Sequence, residues 1–523
     1  MDPSTPTEAA AAPGSRAVGA GRGLLYITAA KVWFMVGGAA IGFVLPYLLR
    51  SKAAFGDWGT ILSFVSPLNN VMVTATIQTV SKFASRGPEY VEGAKRAALK
   101  LQLGVGVVLA LAFFLGAPLI ASAQHGAGLT AGLRLSSAVV LLYSFYAVFV
   151  GAANGAREFQ KQAGLDATFT TLRAGMVCGG AIVFSSVLGA VSGFVAAALA
   201  VLVISVALVG LGKVKAQTSV RELLNFMVPV AGYLLILNLL MFVDGWILRP
   251  LVEEAARTGG ASLAGRDPAT LASEQIGLYT AAQNVARIPY QAILSVTFVI
   301  FPLVSQATFT NDVERTRSYI QKSIRLPLLV VLAMAVAVAA RPSAVLAFFP
   351  RGEYLSAGSA LAILCFGYVA FSVMSIAGTI LNGAGRIFST IVLGAVTLAL
   401  DIVLTWMVVR WVLHLELRDP LLKYTLVLKY TAAATTMAMT IGAGLSLGYL
   451  QHVFGAALKW QTGFKSGVAA ILAIVVAQHL PIDNSRLGNL VVCGLASAIY
   501  IVVLFMSDEL SPQELRELVR RKR

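Results

Sequence analysis

The chain has 523 residues, 58% of them hydrophobic and 12% charged, with 40 Lys and Arg against 24 Asp and Glu and a mean hydropathy of +0.80. Soluble domains carry about 25% charged residues and keep their apolar runs short, so this composition excludes a soluble enzyme. The net charge of +16 gathers in the loops on one side of the apolar segments, where it sets topology and attracts anionic headgroups. It is no footprint of a nucleic-acid partner.

Apolar runs of roughly 20 residues, long enough for a hydrocarbon core near 30 Å, recur from end to end. Backbone groups in lipid must be hydrogen-bonded within the segment, so these runs are helices. The alternating segments of about 10 residues that build membrane barrels do not occur. The fold expected is an all-α polytopic membrane protein of about fourteen transmembrane helices.

Residues 1–21, rich in Ala, Pro, Ser and Gly, read as a disordered tail without the apolar core of a signal peptide. The predicted helices then run 23–49, 57–84, 98–122, 131–153, 163–188 and 191–212 in a first lobe, residues 22–212. They continue 222–248, 276–306, 324–348, 357–382, 387–411 and 424–449 in a second lobe, residues 213–450, with an external loop insertion at 250–275. Helices 464–481 and 487–506 form an appendix, residues 451–506, and a basic tail follows at 507–523. The Lys and Arg distribution puts both termini in the cytoplasm.

The two lobes read as copies of one unit. Helix 4 closes on Asn154-Gly155-Ala156-Arg157 and helix 10 on Asn382-Gly383-Ala384-Gly385-Arg386, 228 residues apart. Helix 2 ends in Val80-Ser81-Lys82 and helix 8 in Val304-Ser305-Gln306, 224 apart, while Leu49-Arg50 and Leu248-Arg249 close helices 1 and 7 at an offset of 199. An insertion near 250–275 accounts for the jump in offset. A unit with an even number of helices keeps its orientation, so the repeat is parallel.

Ionisable groups at membrane depth are functional candidates by default. Lys31, Arg173 and Arg287 are the candidate substrate-binding cations, and Asp166, Asp244 and Asp401 the candidate ion-coupling acids. Each has a plainer reading. Lys31 is placed to snorkel to the headgroups, Asp166 and Arg173 to bridge each other on helix 5, Asp244 to be solvated near the interface, and Asp401 to pair with a cation on another helix. Helix 2 carries Ser66, Asn70, Thr74, Gln78 and Lys82 at steps of four, and helix 8 carries Tyr279, Gln283, Arg287 and Gln291, with Asn284 beside them. One polar stripe in each copy implies a shared wet cavity, adding Asn70, Gln78, Gln283 and Asn284 to the substrate-binding set. Cations there select an anion, phosphate or pyrophosphate, through charge-assisted hydrogen bonds.

No catalytic residue, cofactor or metal site is expected. Cys178, Cys365 and Cys493 lie inside helices, the four His are scattered, and no G-x-x-x-x-G-K-[ST] occurs. Transport would draw on H+, Na+ or the substrate gradient.

Ile276-Gly277-Leu278-Tyr279-Thr280-Ala281-Ala282, Arg287-Ile288-Pro289 and Phe301-Pro302-Leu303-Val304-Ser305, with the Asn-Gly-Ala-Gly-Arg close of helix 10 and the Asp244 region, resemble the Wzx-type polysaccharide flippases. These belong to the multidrug/oligosaccharidyl-lipid/polysaccharide (MOP) exporter superfamily. The resemblance implies two six-helix lobes meeting in a V, two further helices, and a bacterial inner-membrane flippase moving an undecaprenyl-pyrophosphate-linked oligosaccharide by alternating access. It implies as partners the lipid-linked oligosaccharide, membrane lipids and a polysaccharide polymerase complex. A lipid II flippase and a drug or metabolite cation antiporter of the same superfamily are the alternatives, and an envelope polymerase or ligase using the 250–275 loop is a reading of another class.

Overall fold

The computed structural model describes residues 13–126, 128–258, 267–291, 293, 313–416, 420–483 and 485–511. Most of the tail at 1–21, the end of predicted helix 8 with its Val304-Ser305 match, and most of the basic tail fall outside the described residues.

All regular structure among the described residues is helical. The first lobe comprises α1 (Pro13–Leu49), α2 (Lys52–Ala84), α3 (Tyr90–Ala123), α4 (Leu129–Gly155), α5 (Phe159–Phe184) and α6 (Val187–Val209). The second comprises α7 (Val220–Leu239), α8 (Val243–Thr258), α9 (Pro268–Ala286), α10 (Val313–Ala340), the short α11 (Pro342–Leu346), α12 (Gly358–Gly383), α13 (Ile387–Leu413) and α14 (Pro420–Phe454). Then α15 (Trp460–Gln478) and α16 (Arg486–Met506) pack on α10. By length and composition 12 of these helices are able to cross a membrane, against fourteen expected. The two that are not among the 12 are α9, whose predicted continuation to 306 lies outside the described residues, and α14. The chain is a multi-pass membrane protein.

Among the described residues each predicted helix is represented, helix 8 by its first part alone, and two of them break. Predicted helix 7 divides into α7 and α8 at a turn over Leu240, Met241 and Phe242. Predicted helix 9 divides at Arg341, where Pro342 opens α11 because proline fits the first turn of a helix and not its interior. Residues 250–258 and 268–275, expected as loop, are helical: α8 runs on to Thr258, and α9 starts early at Pro268 with Asp267 as its N-cap. The Asp267 carboxylate accepts from Thr270 N at 2.9 Å and Thr270 Oγ1 at 2.8 Å, which holds it below the usual carboxylate range. An apolar-run reading stops where charges begin, and α8 ends in the charged face of Glu253, Glu254 and Arg257.

The Asn-Gly turns of the two lobes have one geometry. In both, the third residue after the Asn has positive φ, 62° at Arg157 and 78° at Gly385. In both, the Asn side chain bonds to the residue eight further on: Asn154 Nδ2 donates to Gln162 Oε1 at 2.7 Å, and Thr390 Oγ1 donates to Asn382 Oδ1 at 2.7 Å. Side chains that staple the same turn in both lobes support the parallel repeat.

The lobes meet along α2, which packs on α4 of its own lobe and on α7 and α9 of the other. Backbone meets backbone there. A Cβ on Gly56 would lie 1.8 Å from Ser273 O, and one on Gly277 2.3 Å from Lys52 O. Small residues allow this approach where no hydrophobic drive exists between helices. The contact lies at the face of the bundle where α1 turns into α2, called here the second face; the first face carries the α2–α3, α4–α5 and α6–α7 connections. Gly277→Val should separate α2 from α9 and cost about 1–3 kcal/mol by overpacking, read as a lower thermal midpoint in detergent, while Gly444→Val, with nothing within 4 Å, should leave it unchanged.

Candidate functional site

A buried polar centre lies just beyond the α7–α8 break. Asp244, in the first turn of α8, is 1% exposed. It accepts from Tyr279 OH at 2.7 Å, from Gln283 Nε2 at 3.0 Å at both oxygens, from Gly245 N at 2.8 Å and from Thr435 Oγ1 at 3.3 Å. The expected solvated Asp244 is thus corrected: α9 and α14 cover it. Asp401 of α13 faces the same place, fully buried, with Thr405 Oγ1 donating to its Oδ1 at 3.2 Å and no donor for its Oδ2. The helix of Asp401, α13, packs on α8 and α14, which carry Asp244 and its donor Thr435. A buried carboxylate oxygen without a donor is costly, and two acids sharing one dry site call for a positive ion or a proton between them. A bridge from Asp401 to a cation of another helix, its plainer reading, is not formed among the described residues.

Arg287 stands beside this pair without forming an ion pair with it. Its Nε donates to Tyr368 OH at 2.7 Å, its Nη2 to Met241 O, and its guanidinium lies 4.2 Å from the centre of the Phe242 ring. The Met241 carbonyl is free because the helix breaks there, as at the broken helices of transporters. Arg287 is 7% exposed. The α9 stripe of Tyr279, Gln283 and Arg287 is therefore turned into the second lobe and does not line the expected shared cavity. Of the expected α9 residues Asn284, half-buried, does face the first lobe, its amide 3.7 Å from where a Cβ of Gly42 would stand.

The α2 stripe lies at the surface of its helix. Asn70, Gln78 and Lys82 are exposed; Asn70 Nδ2 donates to Asn238 Oδ1 of α7 at 3.0 Å, and Lys82 Nζ sits 3.7 Å above the Phe226 ring. In the first lobe Asp166 pairs with Lys31 at 3.3 Å, with side chains 14% and 36% exposed. The expected Asp166–Arg173 bridge is absent, because α1 packs on α5 and brings Lys31 to the acid first. Arg173 lies instead over the Phe194 ring at 4.9 Å, within the first lobe. The sequence-derived set thus falls into three places: a first-lobe pair, the α2 stripe, and the acid centre with Arg287.

Residues 48–352, more than half the chain, match the polysaccharide biosynthesis protein family. The chain belongs to that family. No curated protein matches it by sequence. Its fold is that of MOP transporters: the lipid II flippase MurJ in an inward closed conformation overlaps with a TM-score of 0.68 at 12% identity, covering 93% of this chain and 99% of that one. A MATE transporter in complex with MaL6 gives 0.57 at 15% identity, covering 83% and 96%. A MOP superfamily transporter from Pyrococcus furiosus gives 0.55 at 14% identity, covering 83% and 96%.

Within this polysaccharide biosynthesis protein the second face carries a buried network that the residue patterns do not announce. Arg249 of α8, 2% exposed, donates from Nη1 to Asp57 Oδ1 and to Thr60 Oγ1, both at 2.9 Å, and from Nη2 to Ser273 Oγ at 2.9 Å. Its Nε reaches Gln124 O in the α3–α4 turn at 3.1 Å. Trp246 stacks on Phe64 at 4.4 Å and donates to Ser63 Oγ at 2.8 Å. Around the rim Lys52 lies 4.0 Å from Glu274 and 3.9 Å from Glu353. In sequence Asp57 and Arg249 sit at helix ends, where charges are ordinary; only the repeat pairing of Arg249 with Arg50 pointed at the position.

Asp401→Asn should hold or raise the thermal midpoint at neutral pH, since it removes an uncompensated carboxylate, and should abolish any rise of that midpoint on exchanging choline for sodium or on lowering pH. Unfolding in detergent across both series is the measurement.

Proposed function

We propose that the protein is a bacterial inner-membrane flippase that carries an undecaprenyl-pyrophosphate-linked oligosaccharide from the cytoplasmic to the periplasmic leaflet for surface polysaccharide assembly, without covalent chemistry. Membership of the polysaccharide biosynthesis protein family carries this reading, and the chemistry of the passage supports it. Along α2 the polar stripe meets α7 through the Asn70–Asn238 amide pair, a contact suited to sugar hydroxyls, while Arg287 inside the second lobe and Arg173 inside the first form no ion pair among the described residues and hold positive charge behind the walls of the passage. Lys31, neutralised by Asp166, contributes less than its depth suggested. It acts as a clip between α1 and α5.

The first face becomes the cytoplasmic one, as the basic residues of its connections, Arg86, Arg157, Lys213 and Lys215, suggest. The glycan headgroup then crosses between α2 and the second lobe while the polyprenyl tail stays in lipid. Asp244 and Asp401 are the coupling centre: a proton or sodium ion satisfies the orphaned Asp401 oxygen and, by binding between α8, α13 and α14, favours one arrangement of the broken helix over the other. A polysaccharide polymerase complex would receive the product.

Lipid II is the second cargo to weigh, because the overlap with a lipid II flippase spans 93% of the chain; at 12% identity that overlap carries fold alone. Depletion separates the two. Viable cells without surface polysaccharide support the proposal, and lysis supports lipid II. In proteoliposomes, Arg287→Ala should cut flipping of the pyrophosphate-linked glycan by more than about tenfold, the scale of one charge-assisted hydrogen bond, with normal insertion; unchanged flipping removes Arg287 from the mechanism. Asp244→Asn should flip at a rate that no longer depends on an imposed sodium or proton gradient, read in the same vesicles.

A further inference from the structure

The Asp57 carboxylate occupies a site that belongs to the other lobe. Arg249 and Ser273, on α8 and α9, both donate to its Oδ1 at 2.9 Å, and Arg249 also bonds to Ser273 Oγ at 2.9 Å. The two donors therefore hold each other in place whether or not an anion is present. Asp57 comes from α2 of the first lobe, and its side chain is 35% exposed while that of Arg249 is 3% exposed, so the anion position is reached from outside and its cation is not.

Any opening of the second face must part α2 from α9 and carry Asp57 away from Arg249. What remains on the second lobe is a guanidinium with a hydroxyl beside it, parted from the carboxylate that answered it. Removing one partner of a buried pair leaves an uncompensated charge, which is strongly unfavourable. A second oxyanion arriving at the same point removes that penalty, and an arginine fork with a hydroxyl accepts a phosphoryl oxygen as readily as a carboxylate.

We infer that Arg249 and Ser273 form a phosphoryl-receiving cradle at the second face, with Asp57 as its resident stand-in while the lobes are closed. A phosphoryl anion competes with Asp57 for the cradle, so cargo on its way out loosens the contact that blocks it. An empty protein, lacking the replacement anion, stays shut. The ligand class is a phosphate or pyrophosphate ester or its free anion. The inference rests on the flippase reading for its cargo and on the seam geometry for its site.

The test uses the full chain with Cys178, Cys365 and Cys493 replaced by Ala and with Lys52→Cys and Glu274→Cys across the seam, in phosphatidylcholine nanodiscs. A short thiol-to-thiol crosslinker reports the closed second face as inorganic pyrophosphate is titrated in. Crosslinking should fall with pyrophosphate. Asp57→Asn, which removes the competitor, should lower the half-point about tenfold, and Arg249→Gln should abolish the response. Arg249→Lys keeps a charge without the fork and should raise the half-point; it decides the matter if Arg249→Gln does not insert. An unchanged half-point in Asp57→Asn, or in either Arg249 variant, overturns the cradle. Farnesyl pyrophosphate in place of the inorganic anion distinguishes a lipid-borne from a free phosphoryl group: a lower half-point for the lipid form assigns the cradle to carried lipid, and equal half-points overturn that assignment. Glycan flipping by the unmutated chain in proteoliposomes is scored separately, so a failed cargo assignment and a failed cradle give different results.

Discussion

A charge inside a membrane-spanning bundle persists only where another group answers it, and in this protein the answering groups come from distant parts of the chain. Lys31 is met by Asp166 across 135 positions, Arg249 by Asp57 across 192, and Arg287 by Tyr368 across 81. Each of these contacts joins helices that are far apart along the chain. The packing of α1 on α5 and of α2 on the second lobe is thus fixed by polar pairing as much as by apolar shape.

Answering is incomplete in one place. Asp401 Oδ2 has no donor, and the neighbouring acid, Asp244, has five hydrogen bonds from four residues. The imbalance sits where α7 breaks into α8 and where Arg287 takes up the freed Met241 carbonyl. A broken helix, an over-satisfied acid and an under-satisfied one within a single lobe form an arrangement whose stability depends on what cation enters it. Near the middle of α8, Arg249 closes the second face against α2. One short helix therefore links the acid centre to the seam, with five positions, about two-thirds of the ~11 Å spanned by two helical turns, between Asp244 and Arg249.

Much of this was legible beforehand. The order of the helices follows from apolar runs, and the Asn154 and Asn382 turns that suggest a repeat have matching backbone and side-chain bonds. Asp244, Asp401, Gln283 and Arg287 were each picked out, and the structure gathers them into one centre. Periodicity placed Tyr279, Gln283 and Arg287 on one face correctly but gave that face to the wrong neighbour. A stripe of polar groups looks the same from outside whether water or a set of buried hydrogen-bond partners satisfies it, and only the positions of α8 and α12 distinguish the two. Asp57 and Arg249 lie near the ends of apolar runs, where charges are ordinary, so no local pattern distinguishes them.

By itself the sequence determined the membrane-spanning helical class, the approximate length of each helix and the residues that cannot face lipid, because these depend on hydropathy and on spacing along one chain. The tertiary structure alone decided which charges are neutralised, where helix 7 breaks and which lobe owns each polar face. Those outcomes depend on which distant helix comes within about 3 Å, the range of a hydrogen bond, and no local pattern encodes that distance.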